Sequence, residues 1–579
     1  MTSRRSGLVL AAVVLATRAT AAQTPNTDSL DAFVRAQMRQ RHIAGLSLAV
    51  VQGGRIVYAR GYGVTDPAEG RAVDTTTLFQ AGSISKPTSA LAALHLVEQG
   101  KLSLDDDVNR TLTSWHVAAT RFTADKPVTL RGLLTHTAGL TVHGFPGYDA
   151  DSVRPTLVQV LNGTPPANTV AIVNDTFPGA LNRYSGGGYT IMQQMMVDVT
   201  GTPFPKLMHD LVLQPLGMRR SSFEQPLPPD FAARTAAGHY QDGSVVHARW
   251  HVYPEMAAAG LWTTASDLVH VAMAVQQAYA GTSDAVISQS MARQMLTPFM
   301  GSGLGFGVRP PDNGVVRFGH SGRDEGFDAL LWSTTAGQAY AIMINANDDS
   351  RFMRRIADYI ERAYGWPGAR PQPSRAAVPV APSALVAVEG LYDTGGGGFV
   401  TFVSDNGWLY TSTGGALDEQ FVPIGADTFA SAERDARLTF VRDSSGQVVR
   451  ATLAQGASSV SAPRLGPLFG RAERGDLDAS TIAVGDSTLR AFAAGTVARA
   501  AHVTSGLRAD FGGPWPEVAG LRDVHYVGST AVTGGAVTRH GGPVARLGYY
   551  RVDLRNRSRL VVVYFTPSGD VTDVDVVDR

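Results

Sequence analysis

The spacing of hydrophobic residues predicts a helix and a β-hairpin near the start of the chain. Residues 28–42 place apolar side chains at helical intervals, namely Leu30, Phe33, Val34 and Met38. The next apolar stretch, LSLAVVQGGRIVYARGYG, predicts two strands joined at the glycine pair 53–54, because paired glycines favour tight hairpin turns.

Strand patterns return after residue 300, in GVVRFGHSG, FDALLWSTT and AYAIMINAN. The last of these leads into a predicted helix, RFMRRIADYIERAYG, and the region before residue 300 is mostly helical and loop-like. Strands at both ends and helices between them predict an α/β (α+β) domain, in which one antiparallel sheet is flanked by helices and lies beside a helical lobe.

A proline-rich segment divides the chain. Residues 366–382 carry five prolines, which predicts a stiff linker after a first domain of residues 23–365. Short strands with glycine turns predict a β-rich domain over 383–470. The remainder, 471–579, has a helix-permitting stretch near 486–509 followed by strands, which predicts a small α+β domain.

Composition narrows the functional classes. A chain of 579 residues is too long for one compact core, so more than one domain is expected. The net charge of +0 gives no electrostatic reason to expect a nucleic-acid partner. The chain has no cysteine, which excludes thiol catalysis, disulfides and cysteine-bound metals.

Residues 1–22 have the order of features typical of a secretory signal peptide. Arg4 and Arg5 precede the apolar run GLVLAAVVLA, and an Ala-Thr-Ala cleavage pattern occupies positions 19–21. The apolar run is too short to span a bilayer, and no other segment is predicted to span one. We therefore expect an exported protein, secreted or periplasmic.

Ser83 and Lys86 form the first chemical feature, a Ser-x-x-Lys pair containing one of only four lysines in the chain. ISKPTSALAALHLVEQG is helix-like, and Pro87 is tolerated only in the first turn. Ser83 is therefore expected at the helix N-terminus, with Lys86 one turn later on the same face.

This placement suits an activated nucleophile. A serine hydroxyl reacts poorly until a base removes its proton. Lysine can lose its proton when it is desolvated, whereas arginine effectively cannot. The N-terminus of a helix also favours developing negative charge. The alternative is a solvated helix start without chemistry.

Two later stretches complete a pattern. LNRYSGGGYTIMQQMM places Tyr184 in a glycine-rich turn before a helix, and RFGHSGRDEGFDALL places His320 on a predicted strand. With this order of motifs the chain resembles the serine β-lactamase and penicillin-binding-protein superfamily over residues 28–365. It is most similar to the class C β-lactamase-like branch, which also contains D,D-peptidases, D-aminopeptidases and SxxK esterases.

The resemblance implies a role for each matching residue. Ser83 would be the acylated nucleophile, and Lys86 would share or accept its proton. Tyr184 would be the general base, as a phenolate or by relay with Lys86. His320 matches the third motif, and the backbone N–H groups of Ser83 and Arg323 match the oxyanion hole. No cofactor or metal is implied, and the substrate is expected to be a small molecule or peptide-like.

The chain departs from this pattern where the substrate would bind. Gly186 replaces the asparagine of the usual Tyr-x-Asn motif, and Asn182 is a candidate to compensate. His320, Ser321 and Gly322 replace the usual Lys-Thr-Gly. A lysine suits a substrate carboxylate, whereas a histidine is charged only at lower pH. The expected substrate-binding residues are Gly186, Asn182, Ser321 and Gly322.

Three functional hypotheses follow. The first is a serine hydrolase that cleaves an ester or amide through an acyl-enzyme on Ser83. The second is a β-lactamase, D,D-carboxypeptidase or D-aminopeptidase acting on cell-wall-type substrates. The third, of another class, is a non-catalytic penicillin- or cell-wall-binding protein with the same fold.

Other signals are weaker. VGDSTLR at 484–490 resembles a serine-nucleophile motif but lies far from any plausible hydrolase core. For His136 and His143, structural or cleft-lining roles are preferred over metal binding, because no third ligand stands at suitable spacing. TGGGG at 394–398 is interpreted as a β-turn rather than a phosphate loop.

Overall fold

The computed structural model describes residues 27–41, 43–124, 126–240, 243–347, 351–366, 369, 378–395, 398–405, 408–413, 416–432, 435–456, 458–466, 477–511, 513–531, 538, 543–554 and 558–576. The predicted signal peptide, most of the predicted linker and two glycines of the TGGGG turn, 396 and 397, lie outside these residues. Within the described ranges, no helix has the length and apolarity needed to cross a bilayer.

The N-terminal domain contains eleven α-helices and ten strands among its described residues. The helices are α1 Thr27–Arg41, α2 Ser85–Glu98, α3 Leu130–Leu134, α4 Leu157–Asn162, α5 Gly186–Thr200, α6 Phe204–Met208, α7 Pro229–Ala232, α8 Met256–Ala259, α9 Ala265–Ala280, α10 Gln289–Met295 and α11 Arg351–Ala363. The strands are β1 Gly45–Gln52, β2 Arg55–Gly63, β3 Phe79–Gln80, β4 Tyr148–Asp149, β5 His251–Val252, β6 Trp262–Thr263, β7 Gly307–Asp312, β8 Val315–Asp324, β9 Phe327–Thr334 and β10 Ala339–Ile344.

Six strands form one antiparallel sheet in the order β2-β1-β10-β9-β8-β7. Strand β1 is buried on both faces because its side chains alternate between two cores. Leu46 and Leu48 pack with α1 and α11, whereas Ala49 and Val51 join the core of the helical lobe. The predicted fold class, an antiparallel sheet flanked by helices beside a helical lobe, is confirmed.

Local structure follows the sequence pattern with two differences. The hairpin turns at Gly53 and Gly54, both with positive φ (57° and 71°), as their sequence predicts. The edge strand β7 was not predicted, because Pro310 and Pro311 interrupt its strand-like sequence pattern. An edge strand tolerates prolines, because the backbone N–H groups on its outer side have no neighbouring strand to bond to. Helix α2 was predicted from its sequence, but its surroundings were not: neighbouring helices enclose it almost entirely.

The second domain is a closed barrel of eight strands, preceded by helix α12 Pro382–Val388. Its strands are β11 Gly390–Gly395, β12 Gly398–Asp405, β13 Trp408–Thr413, β14 Ala416–Pro423, β15 Thr428–Ser431, β16 Arg437–Arg442, β17 Val448–Gln455 and β18 Ser458–Gly466. Leu385 and Val388 of α12 pack with the aromatic core of the barrel. The barrel contacts the N-terminal domain at α11, where Arg355 donates a hydrogen bond to Gln420 (3.0 Å).

Residues 477–576, the C-terminal module, pack two helices with a four-stranded antiparallel sheet. The elements are α13 Ala479–Ala494, α14 Ser505–Asp510, β19 Asp523–Ala531, β20 Arg546–Asp553, β21 Ser558–Phe565 and β22 Val571–Val576. The helix predicted near 486–509 starts earlier and is broken, because Gly495 ends α13 in the left-handed conformation (φ 69°).

Candidate active site

Ser83 lies in a short 3₁₀ turn, Gly82–Ile84, that leads directly into α2. Strand β8 runs close beside this turn. A Cβ atom on Gly322 would collide with the carbonyl of Ala81, and one on Gly82 would collide with the backbone of Arg323. The two glycines therefore allow the nucleophile turn and the strand to touch.

This contact brings two backbone nitrogens together. A Cβ built on Gly322 would lie 3.1 Å from the backbone nitrogen of Ser83, and the backbone nitrogen of Arg323 lies against Gly82. The guanidinium of Arg323 binds the Asp328 carboxylate with two hydrogen bonds of 2.7 Å. The backbone of Arg323, rather than its charge, therefore faces the serine turn.

Lys86 is buried beneath Ser83. Its Nζ donates hydrogen bonds of 2.9 Å to Ser83 Oγ and to the carbonyl oxygen of Ala258, which belongs to α8. Only 2% of the residue is exposed. Burial lowers the pKa of the Lys86 ammonium to about 7, although the Asp324 carboxylate opposes that shift.

Tyr184 packs over the lysine, with its ring centroid 4.9 Å from Lys86 Nζ. His136 holds the backbone on both sides of the tyrosine. Its carbonyl oxygen accepts from Arg183 N–H (2.8 Å), and its Nδ1 accepts from Ser185 N–H (3.1 Å). Ser185 also caps α5 by accepting from Gly188 N–H. The tyrosine is thus fixed at the end of a well-capped helix.

The Tyr184 hydroxyl is shielded from solvent although the side chain is only partly buried. Burial raises the pKa of this hydroxyl above its ordinary value, and the Ser83 hydroxyl acts in the opposite direction. Within the ranges described, no group makes a well-aligned hydrogen bond to it. The tyrosine is therefore a neutral phenol beside the serine in the free protein.

His320 completes the cluster on β8, with its ring centroid 6.0 Å from that of Tyr184. Its Nδ1–H donates to the carbonyl of Ser321. Desolvation and the nearby charge of Lys86 lower the pKa of His320 to about 4. The imidazole is therefore uncharged at neutral pH.

Two buried carboxyl groups were missed by the sequence interpretation, and one of them, that of Asp324, acts on the charge of Lys86. Asp324 follows the predicted motif on β8 and is 4% exposed, and Glu255 precedes α8 and is fully buried. Burial raises the pKa of Asp324 well above its usual range and that of Glu255 to about 8. For Asp324 the signal in the sequence was the acidic pair in GRDEGF, directly after the third motif, where the neighbouring Arg323 side chain binds Asp328 instead.

Gly186 starts α5, and the space beside it is filled. A Cβ atom there would lie 3.0 Å from the Phe145 ring and 3.1 Å from the His143 carbonyl oxygen. The Asn182 amide donates instead to Thr135 O and Ser302 Oγ, each at 3.0 Å. These hydrogen bonds of the Asn182 amide thus go to groups other than Lys86.

Comparison with known proteins identifies the fold and the family. The sequence profile of the beta-lactamase family matches residues 30–365, which is more than half of the chain. The chain belongs to the beta-lactamase family. The resemblance inferred from the Ser-x-x-Lys, tyrosine and histidine motifs is thereby confirmed.

Curated members of the beta-lactamase family differ in activity. The chain is 32% identical to esterase EstB of Burkholderia gladioli over 220 residues, which cover 37% of this chain and 54% of the esterase. It is 29% identical to a beta-lactamase of Pseudomonas fluorescens over 244 residues, which cover 42% of this chain and 62% of that enzyme. The chain therefore spans little more than half the length of these relatives.

A solved structure supports the beta-lactamase-family fold. The penicillin-binding protein homologue from Pyrococcus abyssi, described as octameric, superposes with a TM-score of 0.52 at 21% identity. The match covers 75% of this chain and 100% of that one. At this identity the likeness concerns the fold alone.

The weaker sequence signals take other places in this beta-lactamase-family protein. Ser487 of the VGDSTLR motif is exposed in the middle of α13 and not at a turn between a strand and a helix. His143 donates through Nδ1 to the Tyr184 carbonyl (3.1 Å), so that His143 and His136 both hold the backbone around Tyr184. Ligand atoms of Asp149, Asp151 and His247 lie within 4.8 Å of one another, but exposed carboxylates of this kind are common without a metal.

Restoring the family asparagine at position 186 is expected to destabilise the protein. Gly186→Asn would crowd Phe145, and overpacking of this kind costs about 1–3 kcal/mol. Urea denaturation measures the loss, and nitrocefin hydrolysis should not rise. Gly188→Ala in the same helix is the control, since its Cβ would meet neighbours at an ordinary 3.6 Å. A stable Gly186→Asn variant with faster nitrocefin turnover would contradict the prediction.

Proposed function

We propose that this protein is a serine hydrolase that cleaves esters through an acyl-enzyme on Ser83. The observation that carries the proposal is the 2.9 Å hydrogen bond between Lys86 Nζ and Ser83 Oγ at a buried site where the pKa of Lys86 is about 7. A large share of the lysine is then neutral at neutral pH, and a neutral amine can accept the serine proton.

Ser83 and Lys86 together can carry out the acylation step. Ser83 Oγ attacks the substrate carbonyl carbon while its proton passes to neutral Lys86. The backbone N–H groups of Ser83 and Arg323 stabilise the oxyanion, and one such donor is worth about 3 kcal/mol. The bond to the alcohol oxygen then breaks, and that oxygen takes a proton from the Lys86 ammonium.

Tyr184 serves best as a proton relay. Because burial raises the pKa of its hydroxyl, the phenol rather than the phenolate stands beside Ser83. It can donate to the leaving alcohol and recover a proton from Lys86. In deacylation, water loses a proton to the neutral lysine, attacks the acyl carbon and releases the acid, and Ser83 recovers its proton.

Two features favour esters over β-lactams and peptides with a free carboxylate. His320 is neutral near pH 7, so it offers no fixed positive charge to a substrate carboxylate. Gly186 supplies no amide group to recognise a substrate amide, and Phe145 lies against its Cβ position. We also propose that the chain is exported, on the signal-peptide pattern of residues 1–22.

A substrate panel tests the proposal. p-Nitrophenyl butyrate should be hydrolysed at least about tenfold faster, as kcat/KM, than nitrocefin, whose carboxylate meets one charged contact fewer. D-alanine p-nitroanilide, an amide without a free carboxylate, should also be a poorer substrate, because Gly186 supplies no amide group to recognise it. Efficient nitrocefin turnover would favour a β-lactamase instead. If a fluorophosphonate forms no adduct on Ser83, the protein is better explained as a non-catalytic binding protein.

A further inference from the structure

The C-terminal module contacts a loop that packs against Tyr184. Asp510, the last residue of α14, accepts a hydrogen bond from His143 N–H through Oδ1 (2.8 Å). Its neighbour Ala509 is 3% exposed and belongs to the apolar core of the N-terminal domain rather than to that of its own module. One short segment of the C-terminal module is thus built into the first domain.

The contacted loop, residues 141–147, is the one that packs on the tyrosine. The His143 ring lies 4.8 Å from the Tyr184 ring, and its Nδ1–H donates to the Tyr184 carbonyl. The His143 carbonyl oxygen accepts from Gly186 N–H (2.9 Å), and Phe145 packs against Gly186. The backbone around Tyr184 is therefore held from this side by the loop.

The loop needs an external support because part of its backbone is strained. Val142 has a positive φ of 61°, a left-handed conformation that a β-branched side chain adopts only at a cost in free energy. Val142 is buried, and its carbonyl oxygen accepts from Gly187 N–H. The hydrogen bond from His143 N–H to the Asp510 carboxylate fixes the residue directly after this strained one.

We propose that the C-terminal module completes the active site, and that Asp510 is a positioning residue. It holds loop 141–147 against Tyr184, so that the phenol stays in place to relay protons. The barrel domain, by contrast, contacts α11, which packs on the sheet face opposite the helical lobe. The inference rests on the proposed acylation of Ser83.

Single substitutions test whether the hydrogen bond matters. Asp510→Ala is expected to lower kcat for p-nitrophenyl butyrate about tenfold with little change in KM, since a charge-assisted hydrogen bond is lost away from the substrate. Asp510→Asn keeps an acceptor oxygen and should recover most of kcat. Asp478→Ala is the control, because it removes an exposed cap of α13 in the same module and should leave kcat unchanged.

The absence of cysteine permits a direct test of the contact. Ala509→Cys introduces a single thiol that should resist maleimide labelling in the folded protein and become reactive when combined with Asp510→Ala. A merely structural role for Asp510 would lower kcat in Asp510→Asn as much as in Asp510→Ala. That result, or a thiol that labels rapidly in Ala509→Cys alone, would overturn the proposal.

The tests of Asp510 can fail independently of the test of the proposed hydrolase function. If the unmodified protein is not labelled by a fluorophosphonate at Ser83, the proposed chemistry fails, whereas maleimide protection still reports the domain contact. If Ser83 is labelled and Asp510→Ala is labelled at the same rate and with the same pH dependence, the chemistry stands and the positioning role is excluded.

Discussion

Ser83→Ala is expected to reduce ester hydrolysis by at least about 10³-fold, because the acyl-enzyme can no longer form. The measurement is kcat/KM for p-nitrophenyl butyrate, together with intact-protein mass spectrometry after fluorophosphonate treatment. The unmodified protein should gain one adduct, and the variant should gain none. The fold should survive, since Ser83 is only partly buried and its neighbour Ser85 keeps the turn through a hydrogen bond to Gly82 O.

Ser487→Ala is the matched control for this variant. Ser487 belongs to the competing nucleophile motif, but it is exposed on α13 and donates its hydroxyl to Val484 O. Its replacement should leave both hydrolysis and labelling unchanged. Loss of activity in Ser487→Ala with retention in Ser83→Ala would move the active site to the C-terminal module and reject the proposed function.

Lys86→Arg is expected to lower kcat/KM by about 10²–10⁴-fold, the usual contribution of a general base. Arginine keeps the positive charge but cannot release its proton near neutral pH. The pH profile gives the sharper test. In the unmodified protein, neutral Lys86 is the active form, so kcat/KM should rise with pH and level off above about 7. This inflection should vanish in Lys86→Arg.

Lys206→Arg makes the same change at an exposed site, where the lysine pairs with Asp210 one helical turn away. Activity and pH profile should be those of the unmodified protein. A profile for Lys86→Arg that still rises through pH 7 would assign the inflection to another group and remove Lys86 from the role of base.

Most of the local structure was predictable because it depends on residues a few positions apart. The hairpin at Gly53 and Gly54 and the helix carrying Lys86 follow from glycine pairs, apolar spacing and Pro87. Errors occurred where distant packing overrides local pattern. Strand β7 contains prolines that only an edge tolerates, and α2 is enclosed on nearly all sides by helices that its own sequence does not reveal.

The candidate site could be predicted in part for the same reason. Spacing and order placed Ser83, Lys86, Tyr184 and His320 in one constellation, and the structure brings them together. The role of Asp510 could not be predicted, because it lies 367 residues from His143 and in another module. No periodicity connects positions so far apart.

The sequence by itself determined most of the elements, the order of the motifs and the residue types available for chemistry. Only the tertiary structure decided the protonation states of the site residues and how closely the elements that carry them pack. Burial lowers the pKa of Lys86 to about 7, and desolvation together with the nearby Lys86 charge lowers that of His320 to about 4; both effects are properties of the assembled domain. Likewise, Gly82 and Gly322 matter because strand β8 packs directly against the turn that carries Ser83. Only glycine, which has no Cβ atom, leaves room for that contact.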